Sequence, residues 1–132
     1  MNVVLDTHVL LWLALDSKRL SRKARQAITR SRETGGLGIA AITLWEIAQL
    51  AERGRLLVQG TTSDWLAELL ASTAVSVLEL SPAVAELATA FGPEFPRDPA
   101  DRIIAATARA HAMPLVTADE RIQLAPLVKT IW

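Results

Sequence analysis

Apolar residues occur along this chain in short continuous runs, separated by longer segments with helical spacing. Residues 2–6 form one such run with β-branched valines, and they read as a short buried strand. Residues 7–15 carry Leu10, Leu11, Trp12 and Leu13 and predict a helix packed on most sides. Ser21 is placed to cap a second helix over about 22–33, which Gly35-Gly36 ends. Residues 37–41 predict a second strand. A helix begins at Thr43-Leu44-Trp45-Glu46 and runs to about Arg53, with Leu44, Ile47, Ala48 and Ala51 on one stripe. Residues 62–73 predict a helix with Trp65, Leu66, Leu69 and Leu70 turned inward, and Val75 to Leu80 a third strand.

Ser81-Pro82 is a cap followed by proline at the first helical position, opening a helix to about Phe91. After the loop of residues 92–97, Asp98-Pro99 repeats that signal and starts a helix to about Ala112. Its alanines Ala105, Ala106, Ala108 and Ala110 permit close packing on a sheet. Residues 114–117 predict a fourth strand, and Val128 to Trp132 a last short one after a turn or short helix. Strands alternating with helices predict an α/β fold with a mainly parallel sheet. At 132 residues, without repeat or linker, residues 1–132 are expected to form a single domain.

Four acids stand where these elements hand over: Asp6, Glu46, Asp101 and Asp119. In a parallel sheet the carboxyl ends of the strands face one crevice, so acids distant in sequence can meet there. Each also has a local reading. Thr43-x-x-Glu46 matches a capping box, Asp101 suits the positive end of its own helix, and Asp6 and Asp119 are placed as caps. Capping, however, does not require acids to gather at one edge. Two carboxylates ~5 Å apart at an effective dielectric of ~20 repel by about 3 kcal/mol. A cluster therefore needs either protonation or a bound cation. An all-oxygen, acid-rich donor set suits Mg²⁺ or Mn²⁺ and disfavours zinc. Such a site points to phosphate chemistry, with one carboxylate free to orient a water or take its proton.

The remaining features shift this picture less. With 14 basic and 14 acidic residues, net charge names no partner, and the absence of cysteine removes disulfides and thiolate metal sites. Lys18, Arg19, Arg22, Lys23, Arg25, Arg30 and Arg32 hold half the positive charge without an intervening acid. This run reads either as a solvated helix face or as a phosphate-backbone contact. Arg102, beside Asp101, is placed to contact phosphate or to pair with an acid. His8 lies close to Asp6, and His111 reads as structural. Trp12, Trp45, Trp65 and Trp132 read as core residues, although the apolar helix faces also suit a homodimer seam or a groove for an incoming helix. The apolar stretch Val9 to Leu15 is too short for a bilayer, which takes ~20 residues. No membrane association and a cytoplasmic location are therefore expected.

Four segments in this order resemble the PIN-domain endoribonucleases, and within them the VapC-like toxins of bacterial toxin–antitoxin pairs. They are residues 4–12 (VLDTHVLLW), 43–47 (TLWEI), 98–106 (DPADRIIAA) and 115–121 (LVTADER). The resemblance implies a Rossmann-like α/β/α sandwich and Mg²⁺- or Mn²⁺-dependent cleavage of single-stranded RNA. It implies that Asp6, Glu46, Asp101 and Asp119 take the catalytic and metal positions, with Thr117 nearby and Asp98 as a recurring extra acid, and Thr7 and Arg102 stand beside them as candidate substrate or supporting residues. Asp98 reads first as an N-cap. The resemblance also implies a homodimer and a cognate antitoxin whose tail lies across the helices. Ala100 and Ile122 replace aromatics usual in such chains, a change of packing that leaves the acids in place.

Two other functions compete with this one. A signalling receiver domain needs a mid-chain phosphoacceptor aspartate and a lysine after a late strand, but residues 76–81 hold no aspartate and Lys129 is badly placed. A catalytically silent binding module would not need the intact acid set.

Overall fold

The computed structural model describes residues 2–132. Among them run β1 (Val3–Leu5), α1 (Thr7–Leu15), a 3₁₀ turn (Ser17–Arg19), α2 (Arg22–Thr34), β2 (Leu37–Ala40), α3 (Ile42–Glu52) and α4 (Thr62–Thr73). There follow β3 (Val75–Leu78), α5 (Pro82–Thr89), α6 (Pro99–Ala110), β4 (Leu115–Val116), α7 (Glu120–Gln123) and β5 (Thr130–Ile131). The strands pair in the order β3-β2-β1-β4-β5, and every pairing is parallel.

Both faces of this sheet are covered, which explains why its central strands read as continuous apolar runs. Side chains alternate across a strand, so neighbours enter opposite cores. Val4 and Leu115 join Val84, Ile104, Ala105 and Ala108 on the α5–α6 side. Val3, Leu5, Leu37, Ile39 and Val116 join Val9, Leu10, Ile28, Ile47 and Leu69 on the other. The alanine face of α6 does pack closely: Ala105, Ala106 and Ala108 are fully buried, whereas Ala110 is exposed. The result is the expected helix–sheet–helix sandwich.

Strands are shorter than their apolar runs. The run 114–117 pairs only at Leu115 and Val116, and 128–132 only at Thr130 and Ile131. Hydrophobicity persists where the ladder has ended, because flanking residues still pack on the core. Trp45 departs from the expected core position and is 56% exposed on α3. Among the described residues no helix is long and apolar enough to cross a membrane.

Candidate active site

Strand order creates the site. From β1 the sheet grows through β2 to β3 on one side and through β4 to β5 on the other. A crevice therefore opens beyond the carboxyl ends of β1 and β4, where the winding reverses. Asp6 follows β1 and Thr117 follows β4. The Asp6 backbone N–H donates to the Val116 carbonyl at 3.0 Å. Above that bond, Thr117 Oγ1 donates to Asp6 Oδ2 at 2.7 Å and accepts from the Asp119 N–H at 3.0 Å. One fully buried threonine thus ties the first acid to the segment carrying the last. The other oxygen of Asp6, Oδ1, accepts from the Thr7 N–H at 2.8 Å and caps α1.

Glu46 enters from α3, and not by way of a capping box. The cap of α3 is Ala41, which offers no side-chain bond, and Thr43 is fully buried. Thr7 Oγ1 donates to Glu46 Oε1 at 2.5 Å and lies 3.0 Å from Thr43 Oγ1. A hydroxyl has one proton. With Thr7's proton spent on Glu46, Thr43 must donate to Thr7, and the two hydroxyls form a relay that aims the carboxylate. Asp98 caps α6 as expected, its Oδ1 accepting from the Ala100 N–H at 2.9 Å. Asp101 sits in the first turn of that helix. Asp119 caps α7, accepting from the Arg121 N–H at 2.9 Å.

The four acids share one electrostatic field. Burial, and then the charges of Asp6, Asp98, Asp119 and Glu46, push the Asp101 carboxyl from 3.8 up to about 7. Glu46 is raised as well, first by burial, with the Thr7 hydrogen bond opposing and the charges of Asp6 and Asp98 assisting. Burial alone would raise Asp119 too, but the hydrogen bonds and charge of Arg121 outweigh it and hold that carboxyl below its ordinary value. The Arg121 guanidinium grips Asp119 through both oxygens, Nε to Oδ1 at 3.3 Å and Nη2 to Oδ2 at 2.9 Å. It also reaches Asp101 Oδ2 at 3.8 Å. Sequence reasoning gave Arg121 no role. Its place two residues after the last acid was the only signal.

The donor set is chemically right for a hard divalent cation: carboxylate oxygens only, with burial and neighbouring negative charge together raising Asp101. Among the described residues, however, no three acid or histidine side chains already stand together around one point. Protein donors hold three of the acids instead: Thr117 holds Asp6, Thr7 holds Glu46 and Arg121 holds Asp119.

Arg102 corrects an expectation. It makes no phosphate-ready or acid-paired contact but is spent on the preceding loop. Its Nε donates to the Pro96 carbonyl at 2.9 Å and Nη1 to the Phe91 carbonyl at 3.0 Å. Nη2 lies 3.3 Å from the Gly92 carbonyl and 3.4 Å from that of Phe95. His8 does touch the site: Nε2 accepts from the Ala118 N–H at 3.2 Å, which leaves the ring proton on Nδ1, 3.7 Å from Asp6 Oδ2. His111 ends α6 on the surface, away from these contacts. The basic run forms the exposed side of the 3₁₀ turn and α2, where Arg19 lies 4.4 Å above the Trp12 ring and Arg25 donates to the Ser17 carbonyl at 3.0 Å. An apolar hollow of about 380 Å³ between α5 and α6 is lined by Leu80, Ala88 and Ile103 and by none of the four acids.

The PIN domain family model matches residues 3–126. The chain is 40% identical to Ribonuclease VapC22 of Mycobacterium tuberculosis (strain ATCC 25618 / H37Rv) over 133 residues, 99% of this chain and 98% of that protein. It is similar in fold to DNA-bound VapBC from Salmonella typhimurium, with a TM-score of 0.66 at 19% identity over 98% of this chain and 96% of that one. It is likewise similar to VapBC2 from Rickettsia felis bound to a promoter DNA fragment, with a TM-score of 0.64 at 18% identity over 98% and 97%. The extent of the family match and the identity to a full-length relative make this chain a member of the PIN-domain family, in its VapC-like group.

Proposed function

We propose that this chain is an endoribonuclease that cleaves phosphodiester bonds of single-stranded RNA with the help of Mg²⁺ or Mn²⁺, as the toxin of a toxin–antitoxin pair. The observation that carries the reading is the convergence of Asp6, Glu46, Asp98 and Asp119 on Asp101 at the switch point of the sheet, close enough for their charges to act on it. It occurs in a chain 40% identical to a ribonuclease. A cognate antitoxin is supported by the toxin–antitoxin complexes among the proteins of like fold. The exposed Trp45, with Leu15 57% and Leu57 96% exposed, supplies apolar surface that a partner or a second copy would cover. A single domain over residues 1–132, a homodimer and a cytoplasmic setting complete the reading.

In this assignment Asp6, Glu46, Asp101 and Asp119 would hold the cation. When bound, the cation supplies Lewis-acid activation of water and stabilises the leaving oxygen. The chain's own groups do the rest. Thr117 and the Thr7 N–H fix Asp6 through both its oxygens, so it enters the site without rotamer freedom. The Thr43–Thr7 relay orients Glu46. A carboxylate not committed to the cation can orient the attacking water or accept its proton.

Incubating the purified chain with single-stranded RNA, with Mg²⁺ or Mn²⁺ and then with EDTA, tests the reading. Cleavage that EDTA abolishes and Asp6→Asn removes is the expected outcome. Equal RNA loss with wild type and Asp6→Asn would assign the activity to a contaminant and favour a silent binding module.

A further inference from the structure

Among the described residues, Arg121 is the arginine whose contacts in the acidic cluster conflict with the function of that cluster. Its guanidinium occupies both oxygens of Asp119 and approaches Asp101, the carboxylates expected to receive a divalent cation. Two cations cannot share those oxygens without strong repulsion. One of the two must therefore leave, and the arginine is the mobile one. It stands on the short helix α7, its side chain is 67% exposed, and Asp119 and Asp101 are its only ion-pair partners among the described residues. Arg102, the other arginine beside an acid, is tied down by four carbonyls and cannot play this part.

We infer that Arg121 is a displaceable internal counter-ion: it holds Asp119 and Asp101 in the metal-free chain, and a divalent cation releases it to contact a phosphate of the RNA strand. The second half rests on the endoribonuclease reading. The first does not, because it requires only that metal and guanidinium compete for the same oxygens. Displacement keeps a cation on these carboxylates in both states. It also frees a planar fork suited to bidentate phosphate contact at the place where a strand would enter. The antagonism links the two bindings, since RNA phosphate stabilises the released arginine and so favours metal entry.

The test measures Mn²⁺ binding by calorimetry without RNA, and then binding of a non-cleavable 2′-O-methyl single-stranded RNA with and without Mn²⁺. Wild type, Arg121→Ala and Arg121→Gln are compared, each checked for folding by its melting curve. The expected result is Mn²⁺ affinity about two- to five-fold higher in both variants, the scale of a lost exposed ion pair. RNA affinity should fall in the variants only when Mn²⁺ is present, with the salt slope of that binding reduced by about one. Equal or weaker Mn²⁺ binding in the variants, alongside intact RNA cleavage by wild type, overturns the counter-ion role and leaves the nuclease reading standing. Tighter Mn²⁺ binding with no cleavage by wild type removes the nuclease reading and upholds the competition.

Discussion

The starts of α6 and α7 are built from the same parts and arrive at opposite electrostatics. Each opens on a capping aspartate, Asp98 or Asp119, and each carries an arginine within two residues of a site acid. At α6 the arginine is Arg102, drawn back onto the carbonyls of Phe91, Gly92, Phe95 and Pro96. Asp101 gains no contact from it, and burial with the charges of Asp6, Asp98, Asp119 and Glu46 pushes its carboxyl up to about 7 although Arg121 approaches to 3.8 Å. At α7 Arg121 folds onto Asp119 instead and lowers it. An arginine near an acid in sequence is therefore no guide to pairing. The competing acceptors within reach decide it, and here they divide the pocket into a protonatable half and a neutralised half.

The largest expected effect comes from removing the protonatable half. Asp101→Asn should lower RNA cleavage by about 10²–10⁴-fold while leaving the melting temperature at pH 8 unchanged or higher, because it deletes a buried charge among like charges. Loss of activity together with a large fall in melting temperature would show that Asp101 is structural.

Next comes Arg102→Ala, which strands several part-buried carbonyls that accept from a charged donor. A loss of about 2–4 kcal/mol of stability is expected, read by chemical denaturation. Arg102→Lys should recover little, since one ammonium cannot reach carbonyls spread along residues 91–96.

The pH dependence separates the halves further. Asp101 has a folded value raised above its ordinary 3.8, so the folded chain binds the proton more tightly than the unfolded chain. Its contribution to stability should fall as pH rises from about 4 to about 7 and level off outside that window, and Glu46 acts in the same direction. Asp119, being lowered, contributes stability that is lost only as pH falls below its ordinary value. Denaturation curves from pH 4 to 8 should show the decline in wild type and a flatter profile in Asp101→Asn. Identical slopes would contradict the assignment.

The smallest effect belongs to the neutralised half. Arg121→Gln should let Asp119 titrate at a higher pH than in wild type, with little change in melting temperature because the pair is exposed.

What the sequence revealed and what it hid divide along the same line. Signals within a few residues were legible: the valine run ending in Asp6, the Asp98-Pro99 cap, and the strand that leads to Thr117 and Asp119. Thr43-x-x-Glu46 misled because a capping box is a local pattern, whereas α3 begins one residue earlier at Ile42 and Thr43 finds Thr7 instead. The partners of Arg102 and Arg121 were illegible for a related reason. They depend on whether a loop folds its carbonyls behind the helix, which no spacing within residues 98–102 or 117–121 encodes. Trp45 read as core because its helix is apolar on most sides, and its exposure appears only once α1 and α4 have taken the inward positions.

The most direct measurement is a carboxyl NMR titration of Asp101 in the folded chain, with and without saturating Mg²⁺. Gathering of the acids into one field predicts a midpoint near 7 without metal, and a fall of more than one pH unit when Mg²⁺ is added. A midpoint near 4 in both conditions would mean that the carboxylates do not share a field and that no common cation site exists.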